Sequence, residues 1–269
     1  TASPVNAGNI SNTGLEFEIG WQDHIGDFSY GVRGNISTIK NKVTYIHETL
    51  DAIDGQSFHT YGAITRFEVG KPAWYFYGYK YTGIDEATGN PTFADLNDDN
   101  AITEADKTMI GKGIADMTYG ITLTAAWKGL DLIVFGTGSY GAHIYSCLNR
   151  PDYTLNKLTY FVEDRWTPSH TKASMPRAGA TDMDKYYTSS ASVFDGSYFK
   201  IKQIQLGYTF PQKWMKTIKV SNLRVYASLD DFFTFSDYPG FDPEVTNMGV
   251  DKGTFPTSKK VVAGVSITF

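Results

Sequence analysis

The last eleven residues, 259–269, constrain this chain most. Val261, Ala263, Val265, Ile267 and Phe269 fall on one face of a strand. Lys260, Val262, Gly264, Ser266 and Thr268 fall on the other, which is small and mostly polar. This period-two alternation predicts a β-strand that runs to the final residue. A soluble protein seldom ends on an exposed aromatic strand, because the open edge invites other chains to pair with it. A transmembrane β-barrel can end so: closure removes the edge and lipid takes the apolar face. The alternative reading is the terminal strand of a soluble sandwich.

The same alternation recurs along the chain. Leu15, Phe17, Ile19 and Trp21 oppose Glu16, Glu18, Gly20 and Gln22. After a turn at 23–27, Phe28, Tyr30, Val32, Gly34 and Ile36 oppose Ser29, Gly31, Arg33, Asn35 and Ser37. One face of this hairpin is apolar, and the other carries Glu16, Glu18 and Arg33, which suits a watery lumen. Residues 63–70 and 74–84 read as strands around a tight turn at 70–72, although the aromatic run at 74–81 defeats any assignment of faces. Residues 117–127 and 130–135 read as a hairpin turning at Lys128-Gly129. Its outward face carries Ile121, Leu123, Trp127, Leu130, Leu132 and Val134, with Ile133 and Phe135 inward. In 197–210 the outward set is Ile204, Leu206, Tyr208 and Phe210, and a parity shift to Phe199 and Ile201 predicts a bulge. Leu223, Val225, Ala227 and Leu229 face out on the next strand.

The predicted fold is therefore all-β, an antiparallel transmembrane barrel wall of about nine strands. Its connections alternate short and long. Long ones span 40–60, 85–116, 140–195 (with helical turns at 155–161) and 236–258. Aromatic residues sit beside the short ones: Trp21, Phe28, Trp74, Trp127, Tyr208, Phe210 and Phe269. Trp and Tyr favour a membrane–water interface because they join an apolar ring to a polar atom. Single-chain bacterial barrels have even strand numbers. An odd count predicts that the rest of the wall lies elsewhere, in an N-terminal portion of the same protein that is either missing or a separate chain, and that residues 1–12 begin in an outer loop.

Composition excludes several classes. The net charge of −5 and the lack of a basic cluster argue against nucleic acid. A single Cys147 leaves no internal disulfide and no cysteine zinc site. The five histidines are dispersed, with no helical pair for zinc. The string Gly136-Thr-Gly-Ser-Tyr-Gly141 fits a dinucleotide fingerprint but lacks a βαβ unit. No stretch approaches the ~20 apolar residues of a membrane helix.

The segment 95–106 has the spacing of a calcium loop. Asp95, Asn97 and Asp99 would take positions one, three and five. Ala101 would give its carbonyl at seven, and Asp106 would close the set at twelve. Asn100 replaces the usual turn glycine, and Asn tolerates left-handed dihedrals. Asp106 replaces the usual Glu. The alternative is an acidic solvated turn; with calcium, the expected role is structural.

Several motifs in order resemble the C-terminal part of SusC/RagA-type TonB-linked outer-membrane proteins of the Bacteroidetes. They are Val69-Gly-Lys-Pro-Ala-Trp-Tyr-Phe-Tyr-Gly-Tyr79, Asp95-Leu-Asn-Asp-Asp-Asn100 with Ile110-Gly111, and Arg165-Trp-Thr-Pro168 with Pro176-Arg177. Leu206-Gly-Tyr-Thr-Phe-Pro211, Leu223-Arg-Val-Tyr226, Phe233-Thr-Phe235 and Tyr238-Pro-Gly-Phe-Asp-Pro-Glu244 follow. Two departures stand out: Leu229-Asp230-Asp231 replaces a Gly-Gln-Asn, and Asn100 replaces a glycine.

The resemblance implies a 22-stranded barrel with an internal plug. It implies energy from TonB, a SusD-like surface lipoprotein as lid, and oligosaccharides or oligopeptides as cargo. It implies the outer membrane, surrounding lipid, and no enzymatic activity. Residues 1–269 would supply the C-terminal barrel portion, with 85–116 as an outer loop. Tyr140, Tyr145, Tyr153, Trp166, Tyr186 and Tyr187 are candidates for contact with cargo or lid; ordinary loop packing is the alternative for each. Two rival functions are a secreted calcium-dependent carbohydrate-binding module and a glycan hydrolase. The second needs two carboxylates facing across a cleft about 5–10 Å wide, and no such pair is evident.

Overall fold

The computed structural model describes residues 8–150, 158–217, 220–245 and 247–269. Its largest element is one antiparallel sheet of seven strands in sequence order. They are β1 (Glu16–Ile25), β2 (Phe28–Thr38), β3 (Met117–Trp127), β4 (Leu130–Tyr140), β5 (Tyr198–Thr209), β6 (Asn222–Phe235) and β7 (Lys260–Thr268). The first hairpin continues upward, where Gly8–Thr13 pairs with Lys40–Ile46. At the junction the backbones approach so closely that a Cβ on Gly14 would stand 1.8 Å from the Thr38 carbonyl oxygen.

Seven strands form the wall, where alternation predicts about nine. The stretch 63–84 supplies Thr65–Glu68 and Tyr75–Tyr79, which join Ala52–Asp54 and Lys107–Gly111 in a separate four-stranded sheet. A whole hairpin is thereby moved from the wall to the loops, so the direction of every other strand is unchanged. The 26–27 and 128–129 turns, the 210–221 return and Phe269 share one end of the sheet. The connections 47–116, 141–197 and 236–259 share the other.

Register turns the alternating sequence into continuous rows. Trp21, Val32, Leu123, Val134, Ile204, Leu229 and Val261 are successive neighbours across all seven strands. Near the short-turn end, Ile25, Phe28, Trp127, Leu130, Tyr208, Val225 and Val265 form a parallel row. This face is bare: Trp21 is 66% exposed and Val261 72%. Apolar patches on water-facing monomers rarely exceed a few hundred Å². A seven-strand apolar belt calls for lipid. No second sheet covers it among the described residues, so a soluble sandwich has no counterpart here.

Aromatic rings mark both margins. At the short-turn end Tyr30 packs with Trp21 and Phe28, and Phe210 with Tyr208 and Trp214. At the far end Phe17, Ile36, Tyr119, Gly138, Phe199 and Phe235 share a row. Tyr119 and Phe199 stack at 6.0 Å across Gly138, which has no side chain to separate them. The predicted bulge in β5 occurs where register shifts between Ile201 and Gln203.

Among the described residues, the long connections fold together into a capping module. Phe58, Ile64, Phe76, Tyr145, Cys147, Phe161, Tyr186, Tyr187 and Val250 form its buried core. Val43, Ile46, Phe67 and Ala73 form a second core beside the strand extension. Two short helices, Thr159–Glu163 and Met183–Tyr187, contribute Phe161, Tyr186 and Tyr187.

Candidate functional site

Opposite the apolar belt lies a polar face. Glu18, Asn35, Gly120, Thr137, Lys200 and Thr234 form one row across it. Gly20, Arg33, Thr122, Phe135, Gln203, Asp230 and Lys260 form the next. Ile133 and Phe135 fall on this inner face, as the alternation predicts. Glu18 and Arg33 remain exposed and 3.6 Å apart. Near the short turns, Arg224 Nε reaches Asp131 Oδ1 at 3.0 Å, and the guanidinium lies 5.2 Å from the Tyr226 ring centre.

A charge network pins the 236–259 loop to this face. Lys200 Nζ donates to Asp242 Oδ1 at 2.6 Å and to Glu244 Oε2 at 2.8 Å. Lys202 Nζ donates to Glu244 at 2.6 Å and to Asp231 Oδ1 at 3.0 Å. Lys200 itself is 2% exposed. Burial raises the Asp242 pKa, but the Lys200 hydrogen bond and the Thr257 and Glu244 backbone N–H groups outweigh it and hold the carboxyl at about 2. This network is nearly silent in the sequence. Its one trace is Lys200 on the polar side of β5, within reach of a loop whose Asp242-Pro-Glu244 returns over the sheet.

The six aromatic candidates scatter. Tyr145, Tyr186 and Tyr187 are core residues of the capping module, which corrects their expected placement on an open binding surface. Tyr145 donates its hydroxyl to the Tyr187 carbonyl at 2.8 Å, and burial drives its pKa well above the usual tyrosine value. Tyr140 is exposed, but register places it opposite Met117 on the outward face instead of the polar one. Trp166 is half-buried over Gly89, with its indole N–H donated to the Glu86 carbonyl at 3.0 Å. Tyr153 lies outside the described residues.

The 95–106 loop has the expected turn, with Asn100 in the left-handed region at φ 63°. Its carboxylates, however, face the loop's own backbone. Asp95 accepts from Asp99 and Asn100, and Asp99 accepts from Ala101 while its N–H donates to Asn97 Oδ1. Asp106 is fully buried and accepts N–H groups from Thr103 and Leu96, which lower its pKa. Among the described residues no three Asp, Glu, His or Cys side chains converge as a metal site would require.

No family model matches the chain. Curated relatives do. It is 30% identical over 98% of its length to TonB-dependent receptor P3 of Formosa agariphila. It is 27% identical, again over 98%, to TonB-dependent receptor SusC of Bacteroides thetaiotaomicron. The chain spans 29% of the first relative's length and 27% of the second's. Among solved structures, the RagAB peptide transporter superposes with a TM-score of 0.82 at 22% identity, covering 98% of this chain and 29% of that one. The RagAB peptide importer in its closed-closed state gives 0.81.

Proposed function

We propose, from the premise that this chain belongs to the SusC/RagA-type TonB-dependent receptors, that it is the C-terminal wall of an outer-membrane nutrient importer. The observation that carries the reading is the seven-strand sheet with an unbroken apolar belt on one face and a charged face opposite. β1 and β7 end that sheet, and neither has a further partner among the described residues. A membrane sheet with open edges leaves backbone groups unsatisfied in lipid. The wall is completed by the N-terminal part of the same protein, which also carries the plug and the TonB contact.

Cargo is an oligosaccharide or oligopeptide, delivered under a SusD-like lipoprotein lid that rests on the outer loops. The solved RagAB peptide transporter supports the peptide half of this class, and the TonB-dependent receptor relatives support a TonB-linked route. Of the aromatic candidates among the described residues, Trp166 keeps part of its ring available for cargo or lid. The loop 95–106 takes structural calcium, with Asp95, Asn97, Asp99, the Ala101 carbonyl and Asp106 drawn inward from their present backbone partners. Spacing and the left-handed turn at Asn100 support this.

The test is uptake of fluorescent oligosaccharide and oligopeptide pools by cells carrying or lacking the full-length gene, each with and without TonB. Uptake of one pool that needs both genes supports the importer. Equal uptake in all strains overturns it.

A further inference from the structure

The far aromatic row acts as a depth gauge. Ile36, Tyr119, Phe199 and Phe235 lie on it, and interfacial rings mark the border between hydrocarbon and headgroups. Beyond Ile36 the same face carries Thr38, Lys40 and Lys42. Pairing keeps one register from Glu16 with Ser37, through Thr13 with Lys40, to Ser11 with Lys42, so alternation persists across the junction. At about 3.3 Å per residue and a tilt of about 40°, the two lysines stand roughly 10 and 15 Å above the Ile36 row. That is the depth of lipid headgroups.

A cavity of about 570 Å³ opens at this level, lined by Lys40, Lys42, Gly70, Pro72, Lys112 and Asp116 among others. Its walls are fixed by backbone bonds: Val43 N–H donates to the Lys71 carbonyl, and Gly70 N–H to the Val43 carbonyl, both at 2.9 Å. Lys112 pairs with Asp116. Lys40, Lys42 and neighbouring Lys71 have no ion-pair partner among the described residues. In a chain of net charge −5, this is a local excess of cations beside an apolar belt. Ammonium groups so placed gain by meeting an anion at the membrane surface.

We infer that this cavity binds a phosphate group of an outer-leaflet glycolipid, Lys40 and Lys42 making the charge contacts and Lys71 adding to the field. The inference rests on the barrel reading above, because only a sheet set in the outer membrane brings lipid phosphate to this depth.

The test uses the full-length transporter in detergent, with binding of purified phosphorylated glycolipid followed by native mass spectrometry and thermal shift. Lys40→Gln and Lys42→Gln each weaken binding about fivefold and the pair about thirtyfold, while the Lys40→Arg/Lys42→Arg variant binds as wild type. The dephosphorylated glycolipid binds weakly to all forms. Equal binding by wild type and the double Gln variant, or equal binding of the dephosphorylated lipid, overturns the inference. If inorganic phosphate at the same concentration reproduces the thermal shift, the site is a free-anion site and the lipid assignment fails. Heat-dependent gel mobility is read on every sample. A wild-type protein without that barrel signature refutes the barrel reading instead, so the two failures are distinct.

Discussion

Replacing Lys200 by Met tests whether the 236–259 loop is locked to the inner wall by charge. Lys200 bridges Asp242 and Glu244 at 2.6 and 2.8 Å from a nearly water-free position. Removing one partner of a buried pair costs about 3–5 kcal/mol, because the other charge is left without compensation. The loss here is smaller. Asp242 keeps N–H donors from Glu244 and Thr257, and Glu244 keeps Lys202. About 2 kcal/mol remains, which corresponds to roughly a thirtyfold rise in the open population of the loop. Hydrogen exchange of the full-length protein reads this directly: amides at 238–245 and 247–255 exchange about thirtyfold faster, and β1 to β4 are unaffected. The Asp242→Asn variant also speeds exchange, and the double variant gives less than the sum, since both remove the Lys200–Asp242 contact. Protection also depends on pH. Asp242 titrates at about 2, below the ordinary carboxylate value of about 4. Its contribution is therefore complete above the ordinary value and is lost as pH falls through about 2. Unchanged protection in Lys200→Met, or strict additivity in the double variant, refutes the lock.

Three further outcomes are expected. A Cβ on Gly138 would stand 2.2 Å from the Tyr119 ring, so Gly138→Leu breaks the Tyr119–Phe199 stack and lowers the heat-modification midpoint by the equivalent of about 1–3 kcal/mol; an unchanged midpoint contradicts the girdle assignment. Structural calcium raises the melting temperature of chelator-treated protein, and Asp95→Asn removes the rise; equal melting with and without chelator rules the ion out. The Tyr145→Phe variant leaves the Tyr187 carbonyl without its buried donor and costs about 1–3 kcal/mol in denaturant unfolding, whereas a neutral substitution shows the capping core to be looser than its packing indicates.

What the sequence reveals and hides has a physical pattern. Faces are legible wherever one side of a strand meets lipid and the other water, as in Leu15 to Trp21 or Leu223 to Leu229. The Lys128-Gly129 turn is legible because both residues must take positive φ, and both do, at 47° and 92°. The β5 bulge is legible from the parity change between Ile201 and Ile204. The run Tyr75–Tyr79 is buried at four of its five positions, so alternation carries no signal there, and strand propensity does not say which sheet a strand joins. Aromatic content in a loop likewise does not separate core from surface, which is why Tyr145, Tyr186 and Tyr187 read as contact candidates and turn out to hold the loops together. The Lys200–Asp242 pair joins residues 42 apart in sequence and exists only once the loop folds inward.

The central claim is that one face of the seven-strand sheet meets lipid and the other lines a watery lumen. Single cysteines placed outward at Val32, Leu206 and Val265, and inward at Thr122, Gln205 and Ser266, test it in native outer membranes, with buried Cys147 replaced by Ala. The account predicts that a lipid-soluble maleimide labels the first set and a membrane-impermeant one, admitted from the aqueous side, labels the second. Labelling of Val32 and Val265 positions by the water-soluble reagent to the same extent as Thr122 and Gln205 would contradict it.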